Sequence, residues 1–262
     1  MPPLAIINPT EMGWKNRLGI WRSELKHYLR PFYRYRLRRF YGGFVQPGDL
    51  CFDIGAHLGS RTQAFLDLGA QVVSVEPHPQ CADFLRRKFH GRPGWHLDAR
   101  AVGAQAGWST LHINTDNPTI STLSSLQWRQ SMAAAANRVE RWDRSIDVPV
   151  VSLEELIQAY GLPAFCKMDI EGSEAEALAG LEQPLPCLSF EFISLHPTDL
   201  IRCLDRLDEL GHYLYNWSEG ESLRLRSRKW LNSDEIRERL TAFSKSVMSG
   251  DIYARRVETT AR

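Results

Sequence analysis

The feature that most constrains the fold is a regular alternation of short apolar runs with helical segments, which begins at Leu50. The apolar runs predict strands at residues 50–54, 71–75, 95–102, 109–113, 165–170 and 188–193, with a closing strand in "DIYARRV". Strands that alternate with helices form a mostly parallel sheet with helices on both faces. We therefore predict an α/β protein whose ligands bind at the carboxyl ends of the strands.

The helix boundaries carry their own signals. Ser152, with Glu155 three residues later, forms a capping box, and Ser233 is predicted to cap the last helix. The polar, Ala-rich stretch 121–143 is predicted to be partly helical, and the Arg- and aromatic-rich stretch 11–41 to be helical.

Length and composition indicate one α/β domain with additions. The chain has 262 residues, which we divide into a basic, aromatic helical extension at 1–43 and a main domain at 44–262. The formal net charge of +1 favours neither a nucleic acid nor an acidic partner. No apolar run approaches the ~18–20 residues that span a membrane. The first residues lack the charged-then-apolar order of a signal peptide. Five cysteines without a CxxC spacing suggest buried thiols in a reducing compartment, so we expect a cytoplasmic protein.

A glycine turn in "CFDIGAHLGSRTQAF" is the first candidate binding site. Asp53 ends a predicted strand, and Gly55 and Gly59 flank the turn before the next helix. Glycine permits positive φ and close approach of a ligand, and the helix directs its first amides at whatever binds there. Glu76 ends the next strand, where an acid can accept hydrogen bonds from ribose hydroxyls. A tight strand-to-helix connection without a ligand is the alternative interpretation.

Two cofactor classes carry such a ribose, namely the dinucleotides and S-adenosylmethionine. In the dinucleotide fingerprint GxGxxG, small glycines admit a pyrophosphate. Here His57 replaces the second glycine, and its bulk is hard to reconcile with a pyrophosphate. S-adenosylmethionine has an amino-acid tail instead, whose ammonium group would suit Asp53. The turn therefore favours S-adenosylmethionine.

A second candidate site lies in "FCKMDIEGSE", where Lys167, Asp169 and Glu171 alternate with apolar residues. Alternate residues of a strand face the same side, so the three charges share one side if the strand extends that far. A buried unpaired charge costs several kcal/mol, so these charges belong at the open end of the strand, paired with each other, a ligand or a metal. An internal ion pair that locks the turn is the structural alternative. Glu191 and then His196 follow the strand "LSFEF", which makes this edge of the sheet a predicted active site.

Six segments together resemble the FkbM-type methyltransferases, over about residues 44–195. They are "FDIGAHLGSRT", "VVSVEPHP", "STLSS", "VVSLEELI", "CKMDIEGSEAEALAGL" and "LSFEF". The resemblance implies a Rossmann-like class I methyltransferase fold, with seven strands of which the last is antiparallel. It also implies S-adenosylmethionine as cofactor and O-methylation of a hydroxyl on a sugar, glycan or other natural product. Where the family often has an "NxAL" segment, this chain has "DARAVG", so Asp98 is our candidate for the adenine contact.

The resemblance and the residue patterns together assign roles at the site. Asp169 or Glu171 is the predicted base, with Lys167 holding or tuning it. Glu191 and His196 are predicted to bind the substrate, and a divalent metal held by Asp169 and Glu191 is the alternative. The cofactor is predicted to contact Asp53, Gly55, His57, Gly59, Glu76 and Asp98.

The basic segment "RPFYRYRLRRFYGGF" has two interpretations. It could dock an anionic substrate, a nucleic acid or an anionic membrane, or it could pack its aromatics on the domain with the arginines in solvent. We favour packing and a small-molecule or glycan acceptor over nucleic acid. The alternative functions are a methyltransferase for RNA or protein and a cofactor-binding scaffold without catalysis. Neither the acceptor nor the oligomeric state follows from the sequence.

Overall fold

The computed structural model describes residues 32–117, 120–135, 141–243 and 249–257. The helices in this part are α1 (Tyr33–Tyr41), α2 (Ser60–Asp67), α3 (Pro79–Lys88), α4 (Leu126–Ala135), α5 (Leu153–Tyr160), α6 (Glu174–Ala179), α7 (Pro197–Leu210) and α8 (Ser233–Phe243). The strands are β1 (Leu50–Ile54), β2 (Gln71–Val75), β3 (Trp95–Asp98), β4 (Ala101–Val102), β5 (Gly107–Ile113), β6 (Arg144–Val151), β7 (Phe165–Met168), β8 (Cys187–Ile193), β9 (Tyr213–Glu219) and β10 (Ser249–Arg256). Of the predicted helix at 11–41, residues 11–31 lie outside the described part.

Seven strands form the main sheet in the order β3-β2-β1-β7-β8-β10-β9. β1 pairs in parallel with β2 and β7, and β7 in turn pairs in parallel with β8. β10 lies antiparallel between β8 and β9. The predicted Rossmann-like fold with an antiparallel last strand is therefore confirmed. The strand order reverses between β1 and β7, and ligands of such sheets bind beyond the carboxyl ends of the strands at that point.

A smaller sheet of β4, β6 and β5 stands beside the main one and corrects two predictions. The single strand predicted at 95–102 is divided, because β3 pairs with β2 while β4 pairs with β6. β6 was not predicted, and it contains Pro149, a residue that strands admit mainly at an edge. Here β4 pairs only with Val150 and Val151, so at Pro149 the strand has a neighbour only on the β5 side.

Of the two predicted helix caps, one is confirmed and the other lies one residue earlier than predicted. The Ser152 hydroxyl accepts from the Glu155 amide while Glu155 accepts from the Ser152 amide, which confirms the capping box. At α8 the same reciprocal pair joins Asn232 and Glu235, so Asn232 caps the helix instead of Ser233. Ser233 donates to Asp208.

Helix α1 packs on the main domain. Tyr33, Leu37 and Tyr41 recur every four residues and are buried, as expected for the inner stripe of a helix. The Tyr41 ring meets Phe65 at 5.0 Å and Phe165 at 5.9 Å between centroids. This is the packing that we favoured for the basic segment, and the boundary at residues 43 and 44 stays a prediction.

Two further findings concern the protein's surroundings. All five cysteines are buried free thiols, as predicted, while the reducing, cytoplasmic location stays a prediction. None of the helices in the described ranges is long and apolar enough to cross a membrane.

Candidate active site

The glycine turn is shaped by the protein's own backbone. Gly55 has a φ of 76°, and a Cβ there would lie 1.9 Å from the Asp169 carbonyl oxygen. The end of β1 can therefore approach the loop after β7 only with glycine at this position. Gly59 has a φ of 73° and would press a Cβ against Phe89 and Leu85. Both glycines therefore hold the turn beside the pocket, whether or not they contact a ligand.

Glu76 lies where the turn and the end of β2 meet. Its carboxylate accepts hydrogen bonds from the backbone amides of His57 (2.7 Å) and His78 (2.8 Å). Burial raises the pKa of Glu76 to about 7, although the two amide bonds oppose that change. Each carboxylate oxygen has a second lone pair, so Glu76 retains acceptor capacity toward a ligand.

Asp53 and Asp98 are buried, and both carboxylates accept hydrogen bonds from neighbouring residues. Asp53 Oδ2 accepts from the Thr62 amide at 2.8 Å and the Thr62 hydroxyl at 2.5 Å, which ties β1 to the start of α2. Asp98 accepts two bonds from the Arg100 guanidinium, at 2.6 and 2.8 Å. Neither aspartate lines the pocket, so their predicted cofactor contacts stay predictions that the geometry does not support.

A cleft opens beyond the ends of β1, β2 and β7. Its walls are apolar, formed by Ile54, Val75, Pro77, Ala101, Val102, Leu111, Leu123 and Ile170. Its charged lining consists of Glu76, Asp169, Glu171 and Arg100, and the arginine is already paired with Asp98. An acidic cleft with apolar walls repels a pyrophosphate and suits a ligand with an apolar base, ribose hydroxyls and positive charge. The residues present therefore fit S-adenosylmethionine, with Glu76 toward the ribose.

Three carboxylates crowd together at one side of this cleft. Oxygen atoms of Asp169, Glu171 and Glu191 all lie within 4.8 Å of one another. β7 ends at Met168, so Asp169 and Glu171 come from the loop after it, and Glu171 has a φ of 54°. The strand predicted to reach residue 170 therefore stops two residues earlier, and strand alternation does not apply to Asp169 and Glu171. The loop brings them to Glu191 on β8 instead.

Glu191 is the least compensated member of this carboxylate cluster. Its Oε2 is buried and accepts no hydrogen bond from any described residue. Burial, then repulsion by Glu171 and Asp169, raises the pKa of Glu191 well above its usual range, although Lys167 opposes the change. Glu191 can therefore hold or release a proton under conditions in which an exposed glutamate stays ionised.

Lys167 supports the cluster from within the sheet. Its fully buried ammonium group donates to Asp251 Oδ1 (2.7 Å), the Met168 carbonyl (3.0 Å) and Asp169 Oδ2 (3.4 Å). Burial alone would lower the pKa of Lys167, but Asp169 and Asp251 outweigh it and raise the pKa well above its usual value. The predicted Lys167–Asp169 contact is present, and the shorter ion pair is to Asp251, which we did not predict.

No role was predicted for Glu174, although it is the last residue of the quoted segment "FCKMDIEGSE". It is buried and accepts from the amides of Ile170 (2.9 Å) and Gly172 (3.0 Å), which fixes the loop that carries Asp169 and Glu171. Burial raises the pKa of Glu174 to about 7. The hydroxyls of Thr122 and Ser124, from "STLSS", donate to the Glu171 carbonyl at 2.6 and 3.0 Å.

His196 lies on a smaller cavity that also reaches Glu191. Its ring stacks on Trp128 at 5.8 Å between centroids, and its Nε2 is 2.8 Å from the Ser131 hydroxyl. Burial lowers the pKa of His196. The structure thus brings His196, Glu191 and Trp128 to one cavity next to the carboxylate cluster, as a substrate-binding role would require.

The sheet order, the acidic cleft and the carboxylate edge define a class I methyltransferase domain. Residues 53–212 match the family model described as "Methyltransferase FkbM domain". The chain therefore belongs to the FkbM methyltransferase family, and S-adenosylmethionine is confirmed as the cofactor of that family. The family match also confirms the resemblance that the sequence motifs indicated.

Individual relatives are more distant. Over 166 residues the chain is 24% identical to "Hexuronic acid methyltransferase AglP" of Haloferax volcanii. The aligned region covers 61% of this chain and 63% of that protein. Among solved structures, a TehB-like SAM-dependent methyltransferase from Corynebacterium glutamicum has a TM-score of 0.49 at 12% identity, covering 95% of this chain and all of that one. A precorrin-6Y C5,15-methyltransferase from Geobacter metallireducens has a TM-score of 0.44 at 11% identity, covering 87% and 90%. Both scores are below 0.5, so the fold assignment rests on the sheet order itself.

Proposed function

We propose that this protein methylates a hydroxyl oxygen of a sugar, a glycan or a small natural product. The observation that carries the proposal is the carboxylate cluster of Asp169, Glu171 and Glu191 beside the cofactor cleft. A relative named as a hexuronic acid methyltransferase supports a sugar acceptor, and the chain spans 63% of that relative's length.

The chemistry asks the protein to remove a proton from a weakly acidic hydroxyl as the new bond to oxygen forms. When bound, S-adenosylmethionine supplies a methyl group on a sulfonium centre. The protein must align the hydroxyl, exclude water and accept its proton. Oxygen atoms of the three carboxylates lie within 4.8 Å of one another, so we assign the base to the cluster rather than to one residue. Asp169 and Glu171 remain the predicted bases, and Glu191 joins them because its buried Oε2 has acceptor capacity to spare.

The cluster also matches the oxygen ligands that Mg²⁺, Ca²⁺ and Mn²⁺ prefer. A base mechanism predicts that methyl transfer survives an excess of EDTA. If EDTA abolishes transfer and added Mg²⁺ or Mn²⁺ restores it, the carboxylates act as metal ligands and the base assignment is wrong.

The test of the proposed function is transfer of labelled methyl groups. The full chain is incubated with labelled S-adenosylmethionine and with separate pools of acidic oligosaccharides, neutral oligosaccharides, small metabolites, RNA and protein. We expect label in an oligosaccharide or small-metabolite pool and not in the same pool with the triple variant Asp169→Asn/Glu171→Gln/Glu191→Gln. Label in RNA or protein would move the acceptor to another class. Cofactor binding without turnover in any pool would support the inactive-scaffold alternative.

A further inference from the structure

The main domain carries a strongly basic surface that is formed by two segments far apart in the chain. It combines the outer side of α1 with the loop that follows β9, and we call it the basic face. Its members are Arg34, Arg36, Arg38, Arg39, Arg224, Arg226, Arg228 and Lys229, all of them exposed.

Local sequence patterns explain why so many cations point outward together. In α1 the buried residues recur every four positions, which leaves the arginines between them on the solvent side. In the loop, Leu223 and Leu225 pack against the same apolar cluster as α1, and the arginines that alternate with them are exposed.

Specific contacts join the two segments although they are far apart in the chain. Arg36 Nη2 donates to the Ser222 carbonyl at 3.0 Å, across 186 positions of sequence. The Tyr33 hydroxyl donates to Glu221 at 3.1 Å, and Arg61 at the start of α2 donates to the same carboxylate at 2.8 Å. The basic face is therefore one surface, anchored to the helix that follows the glycine turn.

The charge of the molecule is concentrated here. Residues 32–41 and 219–230 contain eight basic and two acidic residues, a net charge of +6, whereas the whole chain has +1. The remaining residues therefore carry a net charge of −5. Three of the cations have carboxylate partners, in the pairs Arg34–Asp67, Arg226–Glu219 and Lys229–Glu235. No carboxylate of the described residues forms an ion pair with Arg36, Arg38, Arg39, Arg224 or Arg228.

Two large aromatic side chains stand among these arginines. Phe32 is 79% exposed and Tyr35 is 60% exposed, on the same helix as four of the cations. Aromatic rings beside arginines are typical of surfaces that bind at the level of lipid headgroups, where the rings enter the interface and the guanidinium groups meet phosphates.

We propose that the basic face docks the protein on an anionic membrane surface. An anionic membrane would meet the cations and exposed rings of this face, while the remaining residues carry the net charge of −5. A long polyanion such as RNA would extend beyond the face and meet the acidic remainder of the molecule, so the charge distribution favours the membrane.

Vesicle co-sedimentation with the full chain tests the proposal and needs no knowledge of the acceptor. Vesicles of phosphatidylcholine alone are compared with vesicles that contain 30% phosphatidylglycerol, at about 0.1 M salt. We expect the protein to sediment only with the anionic vesicles. Arg38→Glu/Arg39→Glu/Arg224→Glu/Arg228→Glu should lower the partition coefficient at least ~10-fold, because each basic residue adds to the attraction.

Two further variants separate this effect from a general effect of net charge. Arg86→Glu/Arg87→Glu reverses two exposed cations on α3, and it should sediment like the wild type. Phe32→Ser/Tyr35→Ser should weaken vesicle binding with no change in charge. The proposal is overturned if phosphatidylglycerol does not increase binding, or if the α3 variant loses as much as Arg38→Glu/Arg39→Glu. Tighter binding to a single-stranded RNA 20-mer than to anionic vesicles would assign the face to nucleic acid and also overturn the proposal.

Discussion

At the carboxyl ends of β1 and β2, Asp53 and Glu76 accept hydrogen bonds from backbone amides, whereas at the ends of β7 and β8, Asp169, Glu171 and Glu191 face one another. The first pair resembles ordinary structural carboxylates that shape a binding surface. The second group carries repulsion that Lys167 offsets only in part, an arrangement that is typical of functional sites. From this comparison we propose that the sheet edge has two parts, with cofactor binding on the β1–β2 side and proton transfer on the β7–β8 side.

The largest expected effect comes from removing the cation below the cluster. Lys167→Met leaves Asp251 and Asp169 without their shared buried partner, so we expect a loss of ~3–5 kcal/mol in the free energy of unfolding. Urea denaturation measures it, with Arg86→Met at an exposed site as the control. A loss below ~1 kcal/mol would show that Lys167 does not offset the repulsion among the carboxylates at this edge of the sheet.

The next prediction concerns the three carboxylates themselves. Glu191→Gln, Asp169→Asn and Glu171→Gln preserve shape while they remove proton acceptors, and at least one should slow methyl transfer ~10²-fold or more. Since Glu191→Gln and Glu171→Gln also remove a repelling charge, we expect unchanged or higher stability for these two, whereas Asp169→Asn also weakens the ion pair with buried Lys167. Full activity of all three variants on an identified acceptor would make the cluster structural.

Thr62→Val tests the opposite side of the sheet edge. It removes the hydroxyl that donates to Asp53 but keeps the Thr62 amide, so buried Asp53 loses one of its two donors. We expect a loss of ~1–3 kcal/mol in stability and little direct effect on rate. A large drop in rate at unchanged stability would contradict the structural role of Asp53.

These variants also mark what the sequence could predict and what it could not. The turn after β1 was predictable because an acid, two glycines and a following helix are consecutive in the chain. The Lys167–Asp251 pair was not, since it joins residues 84 positions apart and depends on where β10 inserts. The meeting of Glu191 with Glu171 depends on a loop conformation with positive φ, which strand alternation does not describe. The family motifs identified this loop as important but not its geometry.

A smaller effect is expected from pH. Burial raises the pKa of Glu76 to about 7, so Glu76 is largely protonated below that pH and ionised above it. An ionised carboxylate accepts stronger hydrogen bonds from ribose hydroxyls. Affinity for S-adenosylhomocysteine, the demethylated cofactor, should therefore rise by up to ~10-fold between pH 6 and pH 8. Glu76→Gln should show a flat profile in the same calorimetric titration, and an equal rise in that variant would assign the dependence to another group.

The most direct test of this division of work is calorimetric titration of S-adenosylhomocysteine into the wild type, Glu76→Ala, Glu76→Gln and Glu191→Gln at pH 7.5. We predict dissociation constants on the order of micromolar for the wild type and Glu191→Gln. Both Glu76 variants should bind S-adenosylhomocysteine at least ~10-fold more weakly, which corresponds to the loss of one hydrogen bond or more. Titration of NAD into any of these four proteins should give no heat of binding, because the acidic cleft would repel its pyrophosphate. Unchanged affinity in both Glu76 variants, or binding of NAD as tight as that of S-adenosylhomocysteine, would contradict the assignment of the β1–β2 edge to the cofactor.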